Sequence, residues 1–227
     1  MKRKGHERER EIRRLRDASH AWQEADRELE AIAPQRERID RFKRALFESE
    51  DRVVIQSVDD VPTALRAAWK KSGEGIPDLF VVRLLPEYQE VAARKRAAHD
   101  AIYTPEFLDA LKRLKHHRPS GVDRALVWLE ANPLCFHSGY DKQRLMRYLR
   151  HVPLTLDQQQ HLRSALLVAV REGAGVEFRD CCRTARLVDT PRFRRVLVEI
   201  RDAPASEHWP RQRATWMLDA LVRANGE

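Results

Sequence analysis

The chain has 227 residues, of which 42% are hydrophobic and 34% are charged, and its formal net charge is +8. It has neither an apolar run of about 18 residues nor an apolar N-terminal segment, so we expect neither a membrane span nor a secretory signal. The three cysteines include the adjacent pair Cys181 and Cys182, which is a poor disulfide framework. The composition therefore predicts a cytoplasmic protein in a reducing compartment.

The positive charge is spread thinly along the chain except at its N-terminus. Residues 1–16 hold eight Lys or Arg and three acidic side chains. A nucleic-acid-binding protein more often concentrates its basic residues on one face or stripe. The sequence leaves open whether folding gathers them there.

Residues 1–50 are predicted to form a charged helical arm. A long helix is expected from Glu7 to Ile32, because apolar side chains recur there at heptad spacing. The seam is interrupted by Ser19 and Asp26, so it is narrower than that of a self-sufficient coiled coil. Either the helix packs on the body of the protein along one thin edge, or it docks a partner or a second copy, which would make a homo-oligomer.

Residues 51–118 form a middle segment with two interpretations. The β-branched runs at residues 52–58 and 79–85 predict either two strands of a small β-α-β insertion or two buried helical segments. Further along, Thr104 precedes Pro105, which is the typical start of a helix.

Residues 119–227 show the strongest pattern, six predicted helices in three consecutive pairs. Thr155 and the Thr190-Pro191 dipeptide are expected to cap two of the helices. Stops are expected at Asn132-Pro133, Pro153 and near Gly173, and a linker at residues 204–210.

The three pairs begin near Val122, Leu156 and Pro191, which are steps of 34 and 35 residues. This period resembles that of HEAT or armadillo repeats over about residues 120–224. The resemblance implies an all-α fold in which helical hairpins stack as a short α-solenoid-like array. An irregular helical bundle with evenly spaced helices is the alternative.

The segment Gly75-Ile76-Pro77-Asp78-Leu79 resembles the start of the metal-binding motif in PD-(D/E)xK nucleases. The resemblance implies that the Asp78 carboxylate would help to hold Mg²⁺. No acidic-x-Lys strand follows it, so a degenerate or active nuclease is only a second alternative. The other interpretation is a loop that caps a helix.

No other spacing in the chain predicts catalysis or a resident metal. The clusters His116-His117 and Cys135-Phe136-His137 lack the paired ligands of a zinc site. Cys181 and Cys182 fall on an apolar helix face and are expected in the core. We therefore assign no catalytic residue, no metal ligand and no cofactor.

Seven side chains near two neighbouring helices are the candidate binding residues. The basic members Arg179, Arg183 and Arg186 recur at i, i+4 and i+7 and so share one helix flank. A solvated face neutralised by Asp180 and Asp189 is the alternative. The full set is Tyr140, Lys142, Arg144, Arg147, Arg179, Arg183 and Arg186.

These patterns predict a non-enzymatic adaptor of a cytoplasmic complex. The basic helical face would bind an acidic surface on a protein partner. The first alternative is a nucleic-acid-binding helical-repeat protein that uses the same arginines.

Overall fold

The computed structural model describes residues 2–31, 86–173, 175, 177–203 and 208–223. Within these ranges it contains α-helices and short 3-10 helices and no strand, so the predicted all-α fold is confirmed. The possible strands at residues 52–58 and 79–85, and the motif around Asp78, lie outside the described residues.

The described residues form nine α-helices, numbered in chain order. Two 3-10 helices, Pro119–Gly121 and Arg186–Val188, adjoin the fourth and the seventh of them. The α-helices are α1 (Lys2–Ala31), α2 (Pro86–Ile102), α3 (Pro105–Lys115), α4 (Val122–Ala131), α5 (Ser138–Leu149), α6 (Leu156–Glu172), α7 (Phe178–Ala185), α8 (Pro191–Asp202) and α9 (His208–Arg223).

The chain divides into two compact units, one of Met1–His20 with His99–Glu227 and one of Ala21–Ala98. The predicted division at residues 50 and 118 stays a prediction. The beginning of α1 contacts residues more than a hundred positions away in sequence.

In the first unit, one narrow edge of α1 meets the end of α4. Leu15 and Ser19 are buried, and the Ser19 hydroxyl accepts a hydrogen bond from the Leu134 N–H at 2.8 Å. Arg8 donates from Nε to the buried carboxylate of Glu130 at 2.8 Å. These contacts are those of a helix held by a thin seam; a role in docking a second copy stays a prediction.

In the second unit, the described parts of α1 and α2 are joined by charged side chains. Arg94 pairs with Glu28, and Lys95 pairs with Asp26. The Lys95 ammonium also lies 4.7 Å from the centre of the Trp22 ring, a cation–π contact. The Arg94 guanidinium holds the pKa of the Glu28 carboxyl below its usual value.

The predicted helix starts are confirmed at Thr104, Thr155 and Thr190. Each threonine hydroxyl accepts a hydrogen bond from the backbone N–H three residues later. At Thr155 the side chain of Gln158 returns a second bond to the cap, which completes a capping box. Local side-chain chemistry thus fixes where α3, α6 and α8 begin.

The predicted stops are confirmed at Asn132 and Gly173, which take left-handed backbone angles of φ +50° and +110°. The predicted linker at residues 204–210 is wrong at its end, because α9 already begins at His208 and contains Pro210. Proline is tolerated there because the N–H groups of a first helical turn have no intrahelical partner.

Non-consecutive helices pack together in the first unit. Helix α4 packs mainly against α6 and only sparsely against α5, whereas α5 packs against α7, and α7 against α9. The pairing of chain neighbours is closest for α8 and α9. Every residue of α4 from Ala125 to Ala131 is buried, so this helix needs cover on all sides. A HEAT- or armadillo-like repeat stays a prediction.

Large apolar side chains fill the centre of this unit. The Trp128 ring stacks on Phe107 with ring centres 4.5 Å apart, and its indole N–H donates to the Ile102 carbonyl at 3.2 Å. Without this hydrogen bond the indole N–H, which is the only polar group of the side chain, would be buried with no partner. None of the described helices combines the length and the apolar character needed to cross a bilayer.

Gly121 lies where the backbone that precedes α4 comes close to α3. A Cβ at this position would lie 2.5 Å from the carbonyl oxygen of Ala110 and 3.1 Å from Cγ of Leu114. We expect Gly121→Ala to lower the free energy of unfolding by roughly 1–3 kcal/mol, because α3 must move away. Urea denaturation followed by circular dichroism measures the change.

The matched control is Gly5→Ala, because a Cβ on Gly5 of α1 meets nothing within 4 Å. That change should leave stability equal or raise it by up to about 1 kcal/mol, the helix propensity difference. Equal effects of the two substitutions would contradict the close approach.

Candidate binding surface

The seven predicted binding residues lie on two helices that pack together. Four belong to α5, two to α7, and Arg186 opens the 3-10 helix that follows α7. Six of them are exposed or half-exposed. The seventh, Lys142, is only 4% exposed and does not contribute to the surface.

Lys142 faces a carboxylate that is equally buried. Glu177, directly before α7, is 3% exposed, and its charge is the strongest opposing influence on the ammonium of Lys142. Burial lowers the pKa of Lys142, and the neighbouring carboxylate only partly restores it. Within the described residues Lys142 Nζ makes no hydrogen bond, so the attraction is a Coulombic one.

Two glycines leave room for the Glu177 carboxylate because they have no side chain. A Cβ on Gly139 or on Gly175 would lie 3.2 Å from its Oε2 atom. This distance is tighter than ordinary van der Waals contact, so larger residues at either position would push the carboxylate away. The first turn of α5 and the segment before α7 thus shape one buried acidic position.

Asp180 on α7 gathers three guanidinium groups. Its side chain is 2% exposed, and its oxygens lie 3.1 Å from Nε of Arg147 on α5 and 3.5 Å from a terminal nitrogen of Arg150, the residue that follows α5. A nitrogen of Arg183, one turn along α7, lies 3.7 Å away. One negative charge therefore faces three positive charges, and the cluster keeps a surplus of two.

A buried hydrogen bond continues the contact at the far end of α7. The Thr184 hydroxyl is fully buried and donates to the Met146 carbonyl at 3.0 Å. The three α7-side positions 177, 180 and 184 recur at helical spacing and share one flank. We call this flank and the groups of α5 and its C-terminal cap that meet it the polar seam: Lys142, the Met146 carbonyl, Arg147, Arg150, Glu177, Asp180 and Thr184.

The opposite flank of α7 points to solvent. Arg179 is exposed and forms no ion pair with any described residue, and Arg186 donates from Nε to the Ala220 carbonyl at 3.2 Å. Of the two acidic residues expected to neutralise these arginines, Asp180 pairs with Arg183. Asp189 pairs instead with Arg194 of α8. We call the exposed cations of α5 and α7 the arginine surface: Arg144, Arg147, Arg179, Arg183 and Arg186.

A groove of about 330 Å³ lies between α7 and α9. Trp216 is 45% exposed within it, and its ring centre lies 6.2 Å from that of the buried Phe178. Its remaining lining comes from α7 and the 3-10 helix on one side and from α9 on the other: Arg179, Cys182, Arg183, Arg186, Asp219 and Ala220.

Aromatic rings crowd the turn between α4 and α5. The Phe136 and His137 rings have centres 4.0 Å apart, and Tyr140 follows at 6.1 Å from His137. Phe136 and Tyr140 are exposed, and His137 holds a left-handed backbone with φ +70°. The Ser138 hydroxyl ties the turn by donating to the Cys135 carbonyl at 2.8 Å. The turn thus presents apolar rings in one fixed arrangement beside Arg144.

Asp141 links that turn to the remainder of the unit. The Tyr103 hydroxyl donates to its Oδ2 at 2.9 Å, and Arg144 lies 3.3 Å from its Oδ1. Burial, together with the Asp141 charge, raises the pKa of Tyr103, so this hydroxyl keeps its proton and remains a donor. Arg144 therefore pairs with a carboxylate that Tyr103 holds in place, and much of its guanidinium group is exposed to solvent.

The predicted core position of Cys181 and Cys182 is confirmed. They are 1% and 9% exposed, and burial raises the pKa of both thiols, that of Cys182 to about 11. Both therefore stay protonated and unreactive at neutral pH.

Among the described residues, no three His, Cys, Asp or Glu side chains lie close enough to hold a metal ion. Comparison of the chain with protein-family models, with curated proteins and with solved structures finds no match.

The sequence interpretation did not foresee the polar seam. Lys142 was taken as a surface residue, although it lies three and seven residues before Leu145 and Leu149 and thus on their buried face. That periodicity was the signal that could have placed it. The sequence pattern gives Asp180 only as a neutralising surface charge, and Trp216 is not among the predicted binding residues.

The seam predicts that Asp180 is a stabilising residue. Asp180→Asn leaves Arg147, Arg150 and Arg183 converging on a neutral amide, so we expect the free energy of unfolding to fall by roughly 1–3 kcal/mol. Chemical denaturation at pH 7 measures this. The control is Asp157→Asn on α6, whose carboxylate is 86% exposed and which should change stability by less than about 0.5 kcal/mol. If the Asp180→Asn variant is as stable as the control variant, the polar seam does not stabilise the fold.

Proposed function

We propose that the chain is a non-enzymatic adaptor of a cytoplasmic complex that binds an acidic protein surface through the arginine surface. One observation carries the proposal. Asp180 is the only described carboxylate that Arg147, Arg150 and Arg183 share, so these cations remain under-neutralised at the surface. A face with surplus positive charge, held rigid by a buried acid, is complementary to an acidic partner.

The residue type supports a binding role as well. An arginine fork donates in parallel to both oxygens of a carboxylate, which a lysine cannot do. Exposed Tyr140 and Trp216 flank these forks, and tyrosine, tryptophan and arginine dominate the residues that carry binding energy in protein interfaces.

The succession of α5, α7 and α9 gives this face its extent. Each of these helices packs on the next, as the inner helices of stacked hairpins would. In our proposal they are the inner layer of a short HEAT- or armadillo-like array, a class that binds partners along extended surfaces.

Single-stranded nucleic acid is the second candidate ligand. The aromatic rings of Phe136, Tyr140 and Trp216 lie exposed, and bases stack on such rings in sequence-tolerant binding. Phosphate binding has a distinct signature, because its affinity falls steeply with salt as counterions are released.

The test replaces Arg179, Arg183 and Arg186 together with Gln in the full chain. We expect the free energy of unfolding to change by less than about 1 kcal/mol, since the three side chains are exposed. The yield of an acidic protein partner, captured from a lysate of the native host and measured by quantitative mass spectrometry, should fall at least about tenfold, the scale of an interface hot spot.

The matched control removes three other exposed arginines, Arg118, Arg192 and Arg195, and so loses equal charge. The control variant should capture the partner as the unchanged chain does. The proposal is contradicted if the two triple variants capture every acidic protein in equal yield. Sub-micromolar DNA or RNA binding at about 0.2 M salt that is lost only in the first triple variant would favour the second candidate.

A further inference from the structure

The groove between α7 and α9 differs in chemistry from the rest of the arginine surface. It offers an indole face, a row of guanidinium groups and one carboxylate, Asp219, within about 330 Å³. This volume is at the small end of the roughly 300–1,000 Å³ of ligand pockets, so it accommodates one or two side chains. A large folded surface would not enter it, whereas a single chain segment would.

Three side chains that line the groove are held in place before any ligand arrives. Arg186 bridges them by its bond to the Ala220 carbonyl, and Arg183 is held from behind by Asp180. The Trp216 ring leans against buried Phe178 at an angle of 53° between the ring planes. These three side chains lose little freedom on binding, which favours affinity, whereas the exposed Arg179 is ordered by the ligand.

The spacing of two arginines along the axis of α7 matches that of alternate side chains in an extended peptide. Arg179 and Arg183 are four residues apart in α7 and therefore about 6 Å apart along its axis. Alternate side chains of an extended chain project to the same side about 6.6 Å apart. Two acidic residues at positions i and i+2 of a bound segment would each meet one arginine.

The mixed charge of the groove lining favours a peptide over a nucleic acid as the ligand. Asp219 is exposed in the same groove, beside the arginines of α7. A phosphate backbone carries negative charge at every unit and would meet this carboxylate unfavourably. A peptide carries charge only where its sequence places it, and an apolar or basic side chain can lie opposite Asp219.

Resting on the proposed function, we propose that this groove binds an extended acidic peptide segment, with one aromatic side chain against Trp216 and alternate carboxylates on Arg179 and Arg183. The acidic partner would thus be recognised partly through a linear segment. The aromatic contact adds apolar burial where the arginines supply orientation.

The experiment is fluorescence anisotropy with the full chain and a labelled peptide of about ten residues, in which Glu alternates with Ser and one central Ser is Phe. We expect Trp216→Ala and Arg179→Gln each to weaken its binding at least about tenfold. The matched controls Trp209→Ala, another exposed tryptophan of α9, and Arg192→Gln of α8 should bind it as the unchanged chain does.

Three further arms sharpen the result. Trp216→Phe keeps a ring in the groove and should retain most of the affinity. The circular dichroism spectrum of Trp216→Ala should match that of the unchanged chain, so that its loss of binding is not misfolding. The probe with Ala in place of its Phe, and the probe with Gln in place of Glu, should each bind at least about tenfold more weakly. An oligothymidine of about ten nucleotides should bind more weakly than the acidic probe.

The proposal is overturned by equal binding to the Trp216→Ala and Trp209→Ala variants, by absence of binding at about 1 mM probe, or by tighter binding of the oligonucleotide. These outcomes leave the proposed function standing when an acidic protein is still captured in an arginine-dependent way. Capture of the acidic protein that no longer depends on the arginines would instead contradict the proposed function. The groove proposal would still stand if the peptide bound as expected.

Discussion

Two buried carboxylates at α7, those of Glu177 and Asp180, face the cationic flank of α5, and the orientation of α7 depends on this pairing. Each ion costs several kcal/mol to remove from water unless an opposite charge or a hydrogen bond compensates it. Helix α7 has only eight residues, and its apolar flank of Phe178, Cys181, Cys182 and Ala185 is buried, so the two carboxylates add a second constraint on its rotation. Turning it about its axis would strand both carboxylates, and the seam therefore sets which residues face outward.

The same seam leaves surplus positive charge at the surface. One aspartate faces three arginines, so two of the positive charges are not balanced within the cluster. Arg179 adds a cation without an ion pair in the described part of the chain. Surplus guanidinium forks on a rigid helix pair favour a binding role, and the carboxylate of Asp219 in the adjacent groove favours a peptide over a uniformly anionic ligand.

How much the sequence predicted depends on the range of the interaction involved. The caps at Thr104, Thr155 and Thr190 were predictable because a hydroxyl and an N–H three residues away decide them. The arginine stripe of α7 was predictable from helical period. The contact of α5 with α7 was not, because it joins residues more than thirty positions apart through charges that usually lie in solvent. Lys142 is the clearest case, since its residue type argued for exposure while its spacing argued for burial.

A double-mutant cycle across the seam tests this account most directly. Unfolding free energies of Lys142→Met, Glu177→Gln and the double variant are compared with that of the unchanged chain. Each single change leaves one buried charge or amide without its partner, so the account predicts a coupling of about 1 kcal/mol or more, with the double variant less damaged than the sum of the singles. The exposed pair Arg201 and Asp202 serves as reference and should show a coupling below about 0.5 kcal/mol. Additive effects of Lys142 and Glu177, within about 0.3 kcal/mol, would contradict a seam held by buried charge.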